Sequence, residues 1–332
     1  MDYSAFIGID VSKLTFDAFI HSKGVKEKFA NNSKGFSAFL GWLKKQLGAC
    51  QLNSILVCFE HTGIYSLNLS LFLEKQTILF AIVPALDIKR SLGTTRGKSD
   101  QLDAQRIAAY AYLKRETLCP TKLPGKVILR LQPLLSLRDQ LVTDRARHKL
   151  TSNERKAVYT GEDHQELFAV YQDLIKVLTE KIKAIEQAIE RLLASDPETK
   201  QTYGLITSVK GIGPLTATYL IVYTRNFTRF GHWRKFACYA GIAPFPHTSG
   251  TSVKGKTRVS HLANKHIKSL LFLCANNAVK TDPELKAYYQ KRVNEGKSKM
   301  STLNIIKNKL VARVFAVAKR QSPFVLNFAL AT

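Results

Sequence analysis

Three short β-rich runs follow one another at the start of the chain before any helical pattern appears, and this feature most narrows what the chain can fold into. Residues 4–10 (Ser-Ala-Phe-Ile-Gly-Ile-Asp) and 14–21 (Leu-Thr-Phe-Asp-Ala-Phe-Ile-His) are joined by Val11-Ser12-Lys13, and a third candidate lies around residues 26–30. Runs in this order predict an antiparallel meander. A helical pattern follows from Ser33 (Phe36, Phe39, Leu40, Leu43, Leu47), then an apolar strand over residues 54–59 that ends at Glu60. Next come a helix near 66–75, a strand over 78–83 stopped by Pro84, and a helix from about Asp100 to Glu116. Three strands in series and then alternating helix and strand predict a mixed α/β sheet.

Beyond residue 125 the pattern changes. Residues 126–195 carry almost no turn signals and read as two long helices broken near Thr160-Gly161. In the second, Leu167, Tyr171, Leu174, Leu178, Ile182, Ile185, Ile189 and Leu192 step by three and four, with one extra four-residue step at Leu178 to Ile182. That is a coiled-coil seam with a local stutter, equally readable as an amphipathic helix packed on its own domain. Asp196-Pro197 ends it, and the rest reads as mainly helical. The expected organisation is a catalytic sheet domain over 1–125, a long-helix region over 126–200 and a basic domain over 201–332.

The charge balance decides the class of partner. Against 25 Asp and Glu stand 50 Lys and Arg, a net charge of +25, which favours a polyanion. The excess is concentrated: residues 201–332 hold 21 bases and only Asp282, Glu284 and Glu295 as acids. Nucleic acid is the expected ligand. No run approaches the roughly 18 apolar residues a spanning helix needs, so no membrane role is expected. The N-terminus, Met1-Asp2-Tyr3-Ser4-Ala5, shows neither a basic stretch before an apolar core nor a small-residue cleavage site, and a cytoplasmic chain is expected. Five scattered cysteines (Cys50, Cys58, Cys119, Cys238, Cys274) without a Cys-x-x-Cys argue against disulfides and structural zinc; they read as reduced and mostly buried.

Acids in strands are informative in so basic a chain. Asp10 closes an apolar strand, and so does Glu60, although Asp is disfavoured in strands unless something pairs with it. Asp100 and Asp103, spaced i, i+3, fall on one helical face. Each has a plainer explanation alone: a strand-end acid can cap a loop, and Asp100 is a good helix N-cap. Together, a first-strand Asp, a later-strand Glu and two helix carboxylates make an oxygen set suited to divalent magnesium, as in two-metal phosphoryl transfer. Asp17, in the second strand, stands outside this set and is the natural neutral comparison.

Two motifs mark the basic segment. Lys210-Gly211-Ile212-Gly213-Pro214 has the turn of a helix-hairpin-helix, whose glycines permit close approach and whose following helix offers free N–H groups to a phosphate; a tight turn used for packing is the plainer reading. Further on, His247-Thr248-Ser249-Gly250-Thr251-Ser252-Val253-Lys254-Gly255-Lys256-Thr257-Arg258 is a Ser/Gly loop backed by three cations. Such a loop binds phosphate, or carries a serine nucleophile with Lys254, Lys256 and Arg258 helping to balance the developing charge. Composition does not choose between Ser249 and Ser252.

Ile7-Gly8-Ile9-Asp10, Glu60-His61-Thr62-Gly63-Ile64-Tyr65, Lys98-Ser99-Asp100-Gln101-Leu102-Asp103-Ala104, Gly211-Ile212-Gly213 and Ser249-Gly250-Thr251-Ser252-Val253-Lys254-Gly255, in this order and spacing, resemble the DEDD transposases of insertion-sequence family one-ten, relatives of the Piv DNA invertases. The resemblance spans nearly the whole chain. It implies a RuvC-like, ribonuclease-H-type N-terminal domain, a coiled-coil arm and a C-terminal transposase domain. It also implies metal ligands at Asp10, Glu60, Asp100 and Asp103, magnesium or manganese as cofactor, and Ser249 as nucleophile. Further implications are a structured bridge RNA pairing with donor and target DNA, composite sites shared between protomers of a dimer or tetramer, and association with the nucleoid during the reaction. The departures are modest: Ser99 stands where Thr is usual, Lys210 where Pro often precedes Gly-Ile-Gly, Val83 where Asn usually precedes Pro84, and Lys254 where Arg is common. Lys254 keeps the charge and loses the bidentate fork. The competing readings are a metal-dependent junction nuclease without a covalent serine step, and a basic nucleic-acid scaffold without chemistry.

Overall fold

The structure is a computed structural model and describes residues 3–48, 52, 54–91, 100–159, 164–249, 253–260 and 262–325. It divides into two compact units, Met1–Leu123 and Pro124–Thr332.

In the first unit the meander forms as the sequence pattern predicts: β1 (Ala5–Val11), β2 (Thr15–Ile20) and β3 (Val25–Ala30) pair antiparallel in succession. Ser12 tightens the first turn, its Oγ donating to the Thr15 carbonyl at 2.7 Å. Helix α1 (Ser33–Leu47) is capped by Asn32, which accepts from the Gly35 N–H at 3.0 Å. Then β4 (Ile55–Glu60), α2 (Leu67–Lys75) and β5 (Leu79–Val83) complete a five-stranded sheet of order β3-β2-β1-β4-β5, with β1, β4 and β5 parallel. Two more helices follow, α3 (Ala85–Ser91) and α4 (Asp100–Leu113). The sequence pattern does not announce α3, a short helix that buries Ile88 alone.

Alternate strand residues serve opposite faces. Ile7, Ile9 and Val11 of β1 meet Phe36, Phe39 and Leu43 of α1 and Leu69 and Leu73 of α2. On the other face Phe6, Leu56, Cys58, Ala81 and Val83 cluster with Ile88, Ile107, Tyr110 and Ala111 of α3 and α4. Burial on both faces is why β4 reads as an unbroken apolar run. This mixed α/β architecture is the one expected of a ribonuclease-H-type domain.

The second unit is mainly helical. Helices α5 (Lys126–Val158) and α6 (Gln165–Ala194) run antiparallel, since Arg138 meets Glu186, Arg145 meets Thr179 and Lys156 lies over Phe168. Of the predicted seam, Tyr171 meets His148 and Arg155 of α5; Ile182, Ile189 and Leu192 are buried, while Leu174 is 41% exposed. Near its base the pair joins the main core, where Ile128, Leu131 and Leu135 sit with Ile189 and Leu192. There follow α7 (Pro197–Thr207), α8 (Pro214–Thr224), α9 (Trp233–Tyr239), a hairpin of β6 (Pro244–Ser249) and β7 (Val253–Val259), then α10 (Lys265–Thr281), α11 (Pro283–Asn294) and α12 (Lys299–Arg320). The break foreseen at Thr160-Gly161 lies outside the described residues, between α5 and α6.

Two expectations need correction. Among the described residues the cysteines are free, but Cys119 and Cys238 are exposed and only Cys58 and Cys274 are buried; Cys119 lies beyond the end of α4 and Cys238 on an outer turn of α9, where packing does not demand a thiol. The segment read as a Ser/Gly loop is a β-hairpin with Ser249 paired to Val253, because Thr, Val and Lys flanking a short Gly-containing link suit two strands. No helix among the described residues is long and apolar enough to cross a membrane.

Candidate active site and nucleic-acid interface

Asp10 and Glu60 stand side by side near the ends of β1 and β4. Asp10 follows Ile9, Glu60 follows Phe59, and Ile9 and Phe59 are partners in the parallel pair. Both carboxylates therefore project from the same level and, by alternation with Gly8 and Cys58, onto the face covered by α4. Gly8 explains how α4 comes so close: a Cβ there would lie 2.1 Å from the Ala104 carbonyl oxygen and 2.3 Å from the Ala108 nitrogen, both backbone atoms. A glycine in a strand otherwise weakens it. Here it lets the helix rest on the strand, which carries Asp103, next to Ala104, toward the strand ends.

The Glu60 carboxyl is held above the usual carboxylate range, first by burial and second by the negative charge of Asp103. Two residues back, burial and Glu60 push the Cys58 thiol up to about 12. Asp103 takes a hydrogen bond from Arg106 Nη1 at 2.8 Å. Asp100 opens α4, but its side chain lies outside the described residues. Among the described residues no three of His, Cys, Asp and Glu are grouped closely enough to hold a metal ion. The donor chemistry nevertheless suits a hard cation, since Asp10, Glu60 and Asp103 offer oxygen atoms only.

Sequence reasoning missed Asp17. It pairs directly with Asp10 across β1 and β2, is 6% exposed, and carries Lys28 Nζ 3.4 Å from its Oδ2. It is part of the site's surroundings, not a neutral comparison. The available signal was a second strand acid in a run of apolar residues.

In the second unit, Gly211 adopts φ +95°, and a Cβ there would come within 2.6 Å of Ala278 Cβ in α10. That glycine is needed for packing. Gly213 is the N-cap of α8 with open space beside it, and Lys210 is exposed. The serine hairpin pairs Thr248 with Lys254 and Ser249 with Val253, with a register shift between Phe245 and His247. The side chains of Ser249, Lys254 and Lys256 and all of Ser252 lie outside the described residues; Arg258 is exposed. At the hairpin's root, Asn304 and Asn308 of α12 both donate to the Ile242 carbonyl, at 2.8 and 2.9 Å. These two asparagines carry no motif and were not foreseen.

The three acids of this basic segment are used internally. Arg313 donates to buried Asp282 at 2.6 Å and also to Glu284, and Arg292 donates to Glu295 at 2.6 Å. These acids are therefore satisfied within the segment and leave its net positive charge uncompensated. Lys307 on α12 is buried, and desolvation first and Lys268 second draw its ammonium below the usual lysine range.

Comparison with known proteins agrees with both halves. A DEDD transposase model of the IS110 group matches residues 7–154, and the model described as the transposase IS116/IS110/IS902 family matches residues 203–290. The chain belongs to the IS110 family of transposases. Within or beside that family, the pilin gene-inverting protein of Moraxella bovis is 28% identical over 329 residues, covering 96% of this chain and 97% of that protein. The corresponding protein of Moraxella lacunata gives the same figures. An IS110 insertion-element protein of Streptomyces coelicolor is 30% identical over 140 residues, 42% of this chain and 33% of its own length. The IS110 assignment makes DNA the substrate class, and the DEDD match falls on the unit that carries Asp10, Glu60, Asp100 and Asp103.

Proposed function

We propose that this transposase cuts and rejoins donor and target DNA under the guidance of a structured bridge RNA, using Asp10, Glu60, Asp100 and Asp103 to hold magnesium or manganese and Ser249 as nucleophile. The observation that carries the reading is the seating of α4 on Gly8, which brings Asp103 within electrostatic reach of Glu60 at the strand ends. When bound, the divalent ion supplies Lewis acidity to the phosphodiester. The Ser249 oxygen forms a bond to phosphorus, its proton passes to a base, the bond from phosphorus to the leaving sugar oxygen breaks, and that oxygen takes up a proton. Attack of a strand hydroxyl on the serine ester reverses the exchange, so rejoining needs no further energy source.

The hairpin presents Ser249 at the end of a paired strand, a more rigid support than a free loop. Lys254, Lys256 and Arg258 on the returning strand, with Lys210, Gly211 and Gly213 at the α7–α8 turn, are the proposed phosphate contacts. The long helices α5 and α6 are the proposed route to a dimer or tetramer. The test is a denaturing gel of wild-type protein with labelled element-end DNA, guide RNA and Mg²⁺. A slow band removed by protease is expected, absent in Ser249→Ala and weakened but present in Ser252→Ala. Cleavage at the normal rate without an adduct would favour the junction-nuclease reading. Loss of cleavage in Asp10→Asn, Glu60→Gln, Asp100→Asn and Asp103→Asn, with RNA binding kept, tests the acidic set.

A further inference from the structure

The register of the five-stranded sheet lines up four charged residues across one face. Lys28 on β3 stands opposite Asp17 on β2, and Asp17 stands opposite Asp10 on β1. Glu60 on β4 is one residue past the Ile9–Phe59 pair. Directly opposed residues share a face, and Ala104 of α4 lines a cavity together with Asp17 and Lys28, which identifies the face as the one α4 covers. The order is a cation at the edge, then three acids.

Two like charges opposed on neighbouring strands are destabilising, so Asp17 beside Asp10 calls for compensation. Lys28 supplies it. The pair is asymmetric: the Asp17 side chain is 8% exposed and that of Lys28 is 53% exposed, with Nζ 3.4 Å from Oδ2. A lysine at an open ion pair ordinarily spends its side-chain entropy for little gain. Here strand pairing places both Cα atoms and the carboxylate is enclosed, so the ammonium is tethered with its outer side in solvent. It borders a cavity of about 200 Å³ that Lys26 and Glu27 also line. Two strand spacings, roughly 10 Å, separate Lys28 from Asp10.

We propose that Lys28 contacts a backbone phosphate of the DNA strand processed at the acidic row, next to the scissile one, and that Asp17 is a positioning residue holding its ammonium there. This rests on Asp10 and Glu60 marking the cleavage site. It accounts for a buried acid beside a carboxylate that already needs neutralising, and it gives the row a cationic edge toward which a polyanion can be drawn.

The sign of one effect separates positioning from general attraction. Asp17→Asn removes a negative charge, so general attraction makes DNA bind more tightly, whereas loss of positioning makes it bind more weakly. Full-length protein with guide RNA and Ca²⁺ is titrated with labelled duplexes spanning one element end, each carrying one neutral methylphosphonate linkage, over a series of salt concentrations. In wild type, one linkage beside the cleavage position should weaken binding. In Lys28→Met that linkage should become indifferent, and the slope of log affinity against log salt should fall by about 0.9, the value of one phosphate. Asp17→Asn should do the same, the double variant should be no worse than either, and Lys28→Arg should retain the contact. Melting of Asp17→Asn checks its fold, and Lys28→Met, at an exposed position, decides the matter if that variant fails to fold. An unchanged slope in Lys28→Met, tighter binding by folded Asp17→Asn, or a sensitive linkage in the RNA instead of the DNA would overturn the proposal. Because the assay reads binding without cleavage, it stands or falls separately from the acidic-site reading, which is sunk if Glu60→Gln cleaves normally.

Discussion

Replacing Gly8 with alanine tests the packing on which the proposed acidic site depends. The added Cβ would meet the Ala104 carbonyl oxygen at 2.1 Å, the Ala108 nitrogen at 2.3 Å and the Ala108 Cα at 2.9 Å. All three are backbone atoms of a helix, so no side chain can swing aside. To restore 3.4 Å, the near edge of ordinary contact, α4 would have to retreat from β1 by about 1.3 Å. Overpacking of this kind costs about 1–3 kcal/mol, which for a unit of this size lowers the melting temperature by roughly 5–10 °C. A misplacement near 1 Å at a reacting centre costs about 10²-fold in rate, and Asp103 rides on the displaced helix. On the proposed function strand transfer should therefore fall about a hundredfold, while DNA affinity, assigned there to the basic second unit, should change little. Gly41→Ala is the control: it lies within α1 and its Cβ would meet nothing within 4 Å, so it should be neutral or stabilise by about 0.5–1 kcal/mol. Differential scanning calorimetry and a strand-transfer assay read the two effects. A Gly8→Ala protein that melts and recombines like wild type would refute the seating of α4 described above.

Three other outcomes follow from charges in fixed places. The Glu60 carboxyl is raised above its ordinary range, so its contribution to stability is complete below that range and is lost as pH rises through the native value. Metal-free Glu60→Gln should thus melt above wild type at pH 7, with the gap closing as pH falls, and a gap independent of pH would show that burial and the Asp103 charge do not raise this carboxyl. Arg313→Ala strands the fully buried Asp282 and should cost about 3–5 kcal/mol, against at most about 1 kcal/mol for Glu284→Gln at its 51% exposed position; equal losses in chemical denaturation would remove the distinction. Affinity for duplex DNA should fall on the order of 10³-fold or more between 50 and 200 mM salt if at least about six phosphates are neutralised, and a nearly flat dependence would show that the net charge is not the grip.

The parts of this protein that could be read in advance are those written in local periodicity. The meander, the apolar β4 and the long helices each depend on patterns within about fifteen residues, and each forms close to its expected limits. Asp10 and Glu60 stood out because an acid closing an apolar strand is anomalous by itself. Asp17 did not stand out, because its meaning depends on register. The Ser12–Thr15 turn sets Asp17 opposite Asp10; a slip of one residue would put Phe16 or Ala18 there and turn Asp17 to the other face. No local pattern distinguishes those alternatives, since Phe16 and Ala18 are buried on one face and Asp17 on the other. The asparagine pair at Ile242 is hidden for the same reason, 62 and 66 residues from its acceptor. Gly8 lies between these cases. A glycine two residues before a strand-end aspartate costs the strand stability, and the cost is understandable only if something must approach the backbone at that point. The helix that approaches begins more than ninety residues later and carries the partner acid. A glycine placed against its strand's interest, next to an acid placed against its strand's interest, is therefore a pairing that announces a facing element before that element can be located.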